Sequence, residues 1–140
     1  LLDTGGGIAA ALPLLGDSPF LVLNGDIWTS YPFEQLVDRT PSAGHLVLTS
    51  KPKHRETADF ALVDGHVERH GDSNDDLVFC GIAILNPILF ADAPTGPFNV
   101  ARELYFAAAN SGHITGEQFK GTWFDIGTSD GLRAVRQLTD

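Results

Sequence analysis

Four uninterrupted apolar residues, Phe20-Leu21-Val22-Leu23, stand between Pro19 and Asn24-Gly25. A run this short, with no polar alternation, predicts a strand buried on both faces. His45-Leu46-Val47-Leu48-Thr49 has the same character, and Val78 to Leu85 is a longer strand closed by Asn86-Pro87. Helical material lies between and before them. Pro32 to Arg39 reads as a short helix with Pro near its start. Asp3 or Thr4 can cap a helix entered through Gly5-Gly6-Gly7, built on Ile8 to Leu12, and ended or bent by Pro13. Buried strands need a layer on each side, so the pattern predicts an α/β sandwich with a largely parallel, mixed sheet.

The second half inserts hairpins. Phe60 to Val63 and His66 to Arg69 flank Asp64-Gly65, a strong two-residue turn signal. Asp72 to Asp76 reads as a polar loop. Val100 to Ala109 is helical, with Val100, Leu104 and Ala107/Ala108 on one stripe. Ile114 to Phe119 and Thr122 to Ile126 are expected to pair around Lys120-Gly121, and a last helix starts near Thr128. With 43% hydrophobic residues, 140 residues supply one core, so 1–140 is read as a single domain.

Charge narrows the function. The net charge of -9 and the lack of any Lys/Arg run exclude nucleic-acid binding through phosphates, but a nucleotide carried by a cation remains open. Cys80 stands alone, so no internal disulfide forms and a reducing cytoplasm fits. No apolar stretch has the length of a membrane span. The chain opens Leu1-Leu2-Asp3, with neither Met nor a signal peptide, so it is expected to begin inside a longer protein.

Three segments could carry chemistry. Asn24-Gly25-Asp26 ends the first strand, where open α/β sheets bind ligands. Asn-Gly is also a hairpin signal, yet Ile27 to Tyr31 runs on into Pro32 without the alternation needed to pair back. Trp123-Phe124-Asp125-Ile126-Gly127-Thr128 sets a carboxylate among bulky neighbours, where a cation can partner it. Taken alone, Asp125 is more simply a bond to the turn at Gly127. Thr4-Gly5-Gly6-Gly7 before a helix lets backbone approach a flat or anionic ligand. A zinc site at His66 and His70 is disfavoured, because residues four apart on a strand lie far apart. His45, His54 and His113 read as surface or strand-end residues, Cys80 as a small packed residue, and Trp28 and Trp123 as core.

Together the three segments resemble the sugar-1-phosphate nucleotidyltransferases over the whole chain. The resemblance implies a Rossmann-like fold whose N-terminal strands are missing here. It implies that Thr4, Gly5, Gly6 and Asn24 meet the nucleotide, that Gly81 within Phe79-Cys80-Gly81-Ile82 and Ala61 meet the sugar, and that Asp26 and Asp125 hold a catalytic Mg²⁺. Within the family, Leu2 to Leu15, Asp26 to Thr29 and Gly116-Glu117 are most similar to N-acetylmuramate-1-phosphate uridylyltransferases, cytoplasmic bacterial enzymes of cell-wall recycling. Guanylyl and thymidylyl relatives share the skeleton. The implied partners are a nucleoside triphosphate and a sugar-1-phosphate. Two elements depart from the pattern: a Glu-Lys-Pro gives way to Val67 to Gly71, leaving Arg69 as the nearest cation, and the Gly-rich triphosphate loop is absent. The 140 residues alone are therefore expected to be inactive and prone to associate. A non-catalytic sugar-nucleotide-binding module is the competing class, which the pair of carboxylates disfavours.

Overall fold

The computed structural model describes residues 1–53, 55–69 and 77–139. The expected strand at Phe20 forms as β1 (Phe20–Leu23), but one of its faces is open. Phe20 and Val22 pack on the core, whereas Leu21 and Leu23 are 47% and 50% exposed. Position explains the difference. Among the described residues β1 pairs only with β6 (Leu77–Leu85), as the edge of the sheet. The two-sided strand is instead β3 (Gly44–Ser50), buried from Gly44 to Thr49. Its Leu46 and Leu48 enter one core and Val47 enters a second on the opposite face, as strand alternation requires.

β4 (Phe60–Val63) and β5 (His66–Arg69) form the expected hairpin, with Asp64 and Gly65 both at positive φ. β7 (Ile114–Gln118) runs parallel to β3. The pairings pass through β6, β3, β7, β5 and β4 and return to β6 at Phe60 and Leu77. The sheet is mixed, as expected, but β3–β7 is its one parallel pairing among the described residues. Inserted hairpins reverse strand direction, so the parallel share is smaller than the sequence suggested.

β7 does not pair with the strand that follows it. Both its edges are taken by β3 and β5, so the chain crosses at Lys120-Gly121 and gives β8 (Trp123–Asp125) to β2 (Ile27–Thr29). These two short strands form a separate antiparallel ladder.

Helix α1 (Asp3–Leu15) begins earlier than expected and takes the three glycines into its first turns. It also carries Pro13 two residues before its end. The segment at Pro32 is a single 3-10 turn, Phe33–Gln35, rather than a full helix. The later helix is a π turn, Ala101–Tyr105, running into α2 (Phe106–Asn110), and the chain closes with α3 (Ser129–Thr139). His54, His70 and the Asp72 to Asp76 loop lie outside the described residues, and with them the His66 and His70 pair.

Candidate active site

A bulge in β6 organises the site. Val47 of β3 faces Ile82 but Leu48 faces Phe79, leaving Cys80 and Gly81 out of register. Gly81 sits at φ +84°, a conformation that side chains other than glycine's resist. The bulge turns two carbonyls outward. Cys80 O accepts from Trp123 Nε1 at 2.7 Å, and Gly81 O accepts from the Asn24 amide at 2.8 Å. One irregularity thus ties the end of β1 and the start of β8 to the same point. Cys80 itself is fully buried, and that burial pushes its thiol up to about 12.

The β2–β8 ladder then aligns the two acids. Asp125 lies opposite Ile27, and the Ile126 amide donates to Asp26 O at 2.9 Å. A Cβ placed on Gly127 would lie 2.9 Å from Asp26 Oδ2 and 3.2 Å from Asp125 Oδ1. The two carboxylates therefore approach within about 6 Å across a residue with no side chain. Asp125 Oδ1 accepts from the Gly127 amide at 3.0 Å, so the turn bond and the meeting with Asp26 coexist. The Thr128 hydroxyl donates to Asp125 O at 3.0 Å and accepts from the Gly131 amide at 3.1 Å, locking α3 behind the acid.

Among the described residues no group of three or more His, Cys, Asp or Glu side chains could hold a metal. The Asp pair alone cannot cage a cation. It suits Mg²⁺, which keeps most of its shell for water and substrate phosphates around one or two carboxylates.

Asp26 opens on a cleft of about 530 Å³ that Thr4, Gly7, Asn24, Phe79 and Tyr105 also line. Asp125 borders a neighbouring cavity of about 340 Å³, with Trp123 and Thr128. Of the expected nucleotide-binding residues, Thr4 and Asn24 line the cleft; Gly5 and Gly6 do not. Both glycines are buried against the 96–98 segment. A Cβ on Gly5 would meet the Phe98 ring at 2.2 Å, and one on Gly6 would meet Gly96 O at 2.5 Å. The Gly5 amide already donates to Phe98 O. Gly7 is the glycine with open space above it. Gly81 lies beneath the Asn24 side chain, and Ala61, 2% exposed, borders neither cavity.

A second polar cluster escaped the sequence reading. His45, expected at the surface or a strand end, is the second residue of β3 and is 3% exposed. Its Nε2 lies 3.3 Å from Glu117 Oε2 and its Nδ1 2.9 Å from Thr115 Oγ1. Glu117 also accepts from Tyr31 Oη, and from Arg39 Nη2 at 2.7 Å. Burial, then the Arg39 charge, holds His45 below the usual imidazole range despite Glu117. Burial, then the bond to Glu117, raises the Tyr31 phenol. Only a strand pairing of His45 with Thr115 could have signalled this cluster, and parallel partners cannot be read from local pattern.

No protein-family profile matches the sequence. The N-acetylmuramate alpha-1-phosphate uridylyltransferase of Neisseria meningitidis is 33% identical over 98% of the chain, and the match covers 62% of that relative. The mannose-1-phosphate guanyltransferase of Aspergillus fumigatus is 30% identical over 90% of the chain and 38% of its own length. The chain thus spans about three-fifths or less of the relatives it matches. Among solved structures, HddC from Yersinia pseudotuberculosis superposes with a TM-score of 0.73 at 22% identity, covering 99% of this chain and 63% of that one, which establishes a common fold.

Proposed function

The chain belongs to the sugar-1-phosphate nucleotidyltransferase family, and from that premise we propose that it serves uridylyl transfer from UTP to N-acetylmuramate-1-phosphate with release of pyrophosphate. An oxygen of the sugar phosphate attacks the α-phosphorus of UTP, and the bond to pyrophosphate breaks. The nucleophile is already ionised, so no general base is required. The obstacle is repulsion between two anions. Asp26 and Asp125 would hold Mg²⁺, which when bound neutralises charge on both phosphates. The rest is positioning. Thr4 and Asn24 meet the nucleotide at the rim, with Gly5 and Gly6 setting the depth of the backbone beneath it. Gly81 and Ala61 serve the sugar by shaping the strands below.

The observation that carries this reading is the meeting of Asp26 and Asp125 over Gly127, from opposite ends of the chain. A purely binding module has no need of both. The reading brings cytoplasmic bacterial cell-wall recycling with it. Among the described residues no helix is long and apolar enough to cross a membrane. The fungal relative supports a second reading, guanylyl transfer to mannose-1-phosphate on the same two acids.

Pyrophosphate release by the intact protein separates them. We expect release with UTP and N-acetylmuramate-1-phosphate, dependent on Mg²⁺ and abolished by EDTA, and little with GTP and mannose-1-phosphate. Undiminished release from an Asp125→Asn protein would sink the site assignment.

A further inference from the structure

A cavity of about 360 Å³ adjoins the cleft of Asp26, and Phe79 lines both. Its other walls include Phe60 and Phe106, and Arg55 and Arg102 border it. The guanidinium of Arg69 lies 4.2 Å from the centroid of the Phe106 ring. The sequence has 9 Lys and Arg against 18 Asp and Glu, yet three arginines gather around this one place. Asp59 is the acid on its wall, 3.0 Å from Arg55, and it offsets that charge. The Arg102 side chain has no ion-pair partner among the described residues, while its backbone amide is fixed by Asn99 Oδ1 at 3.0 Å.

A cationic cavity with aromatic walls on an acidic protein needs an anion. A planar guanidinium matches a carboxylate in a two-point bond. In the reaction proposed above, on which this inference rests, the substrate phosphates are committed to the Asp26 and Asp125 end. Phe79 stands two residues before Gly81, the sugar-facing glycine of that reading, so a group that passes Phe79 is assigned to the sugar ring. We propose that Arg102, with Arg55 beside it, binds a carboxylate carried by the sugar, so that the site selects acidic sugar-1-phosphates over neutral ones. N-acetylmuramate has such a group, an ether-linked lactyl acid, where N-acetylglucosamine has a hydroxyl.

The test is run on the intact protein in two arms. In the binding arm, N-acetylmuramate and N-acetylglucosamine, both without phosphate, are titrated calorimetrically into wild type, Arg102→Ala and Arg102→Lys. Wild type is expected to bind the acid form more tightly. Arg102→Ala should lose roughly 10- to 100-fold on that sugar alone, the size of one charge-assisted hydrogen bond, with Arg102→Lys in between. In the turnover arm, kcat/KM for the two sugar-1-phosphates should shift by the same factor for the acidic sugar and within about threefold for the neutral one, as a lost surface side chain does little else. Equal losses on both sugars, or no preference in wild type, overturn the proposal. Binding that depends on Arg102 without any transfer would leave this site standing and remove the transferase reading instead.

Discussion

Two acidic centres lie in this fold, one on β7 and one at the β2–β8 ladder, and they handle their negative charge in opposite ways. Glu117 is saturated: Tyr31, Arg39 and His45 all reach it, and it sits partly buried among them. Asp26 is exposed and Asp125 half-buried, and among the described residues the Gly127 amide alone donates to either carboxylate. Carboxylates with their acceptor sites filled hold a fold together; carboxylates kept close and underfilled are held ready for something else. The contrast separates Glu117 from the pair we propose as catalytic without reference to any relative.

The largest effect expected from breaking this contrast is on turnover. Asp26→Asn or Asp125→Asn should lower kcat by about 10²- to 10³-fold, the loss typical of removing one electrostatic stabiliser from an active site. Stability should move by less than about 0.5 kcal/mol, the usual range for exposed positions. Steady-state kinetics beside a urea melt reads both. Glu117→Ala should do the reverse. It strands the Tyr31 hydroxyl and the His45 ring, both buried, at about 1–3 kcal/mol for each unpaired donor. A Glu117→Ala protein as stable as wild type would erase the distinction between the two centres.

Acid sharpens it further. His45 is held neutral with a folded pKa below 6.5, so at lower pH the unfolded chain binds its proton first. Its contribution is complete above pH 6.5 and is lost as pH falls toward and through the folded value. Glu117 bonds it and favours the proton, while the Arg39 charge, itself held on Glu117, opposes protonation whatever the pH. Stability measured by urea from pH 7.5 to 5 should decline for wild type and decline less for His45→Gln. An identical slope in both proteins would place the acid sensitivity elsewhere.

The strands and the Asp64-Gly65 turn were legible because each is set by residues next to one another. The acid pair was legible as two strand ends, and the ladder of β2 with β8 brings them together. What stayed hidden depends on distant partners. The exposed face of β1 follows from its place at the sheet edge, and the β2–β8 pairing follows from β3 and β5 already occupying β7. Gly5 and Gly6 read as a helix entry open to a ligand but are packing glycines, because the residues that cover them arrive at 96–98. The bulge at Cys80-Gly81 had a visible glycine, but nothing local marks which carbonyl it frees.

Tyr105 tests the rule at its margin, since it combines features of both centres. Its side chain is fully buried, yet its hydroxyl has no hydrogen-bond partner among the described residues. Burial alone raises its phenol pKa, and no neighbouring charge contributes. The ring packs edge-on against Phe79 with centroids 5.4 Å apart, on the wall of the cleft. An unpaired buried hydroxyl costs about 1–3 kcal/mol relative to leaving it in water, and Phe fills the same volume without it. Tyr105→Phe should therefore leave stability unchanged or raise it by about 1 kcal/mol, the only change expected in a stabilising direction. Urea unfolding at pH 7 measures it. A loss of more than about 1 kcal/mol would mean that the hydroxyl is paired in the native protein, and underfilling could then no longer be read as readiness for a ligand.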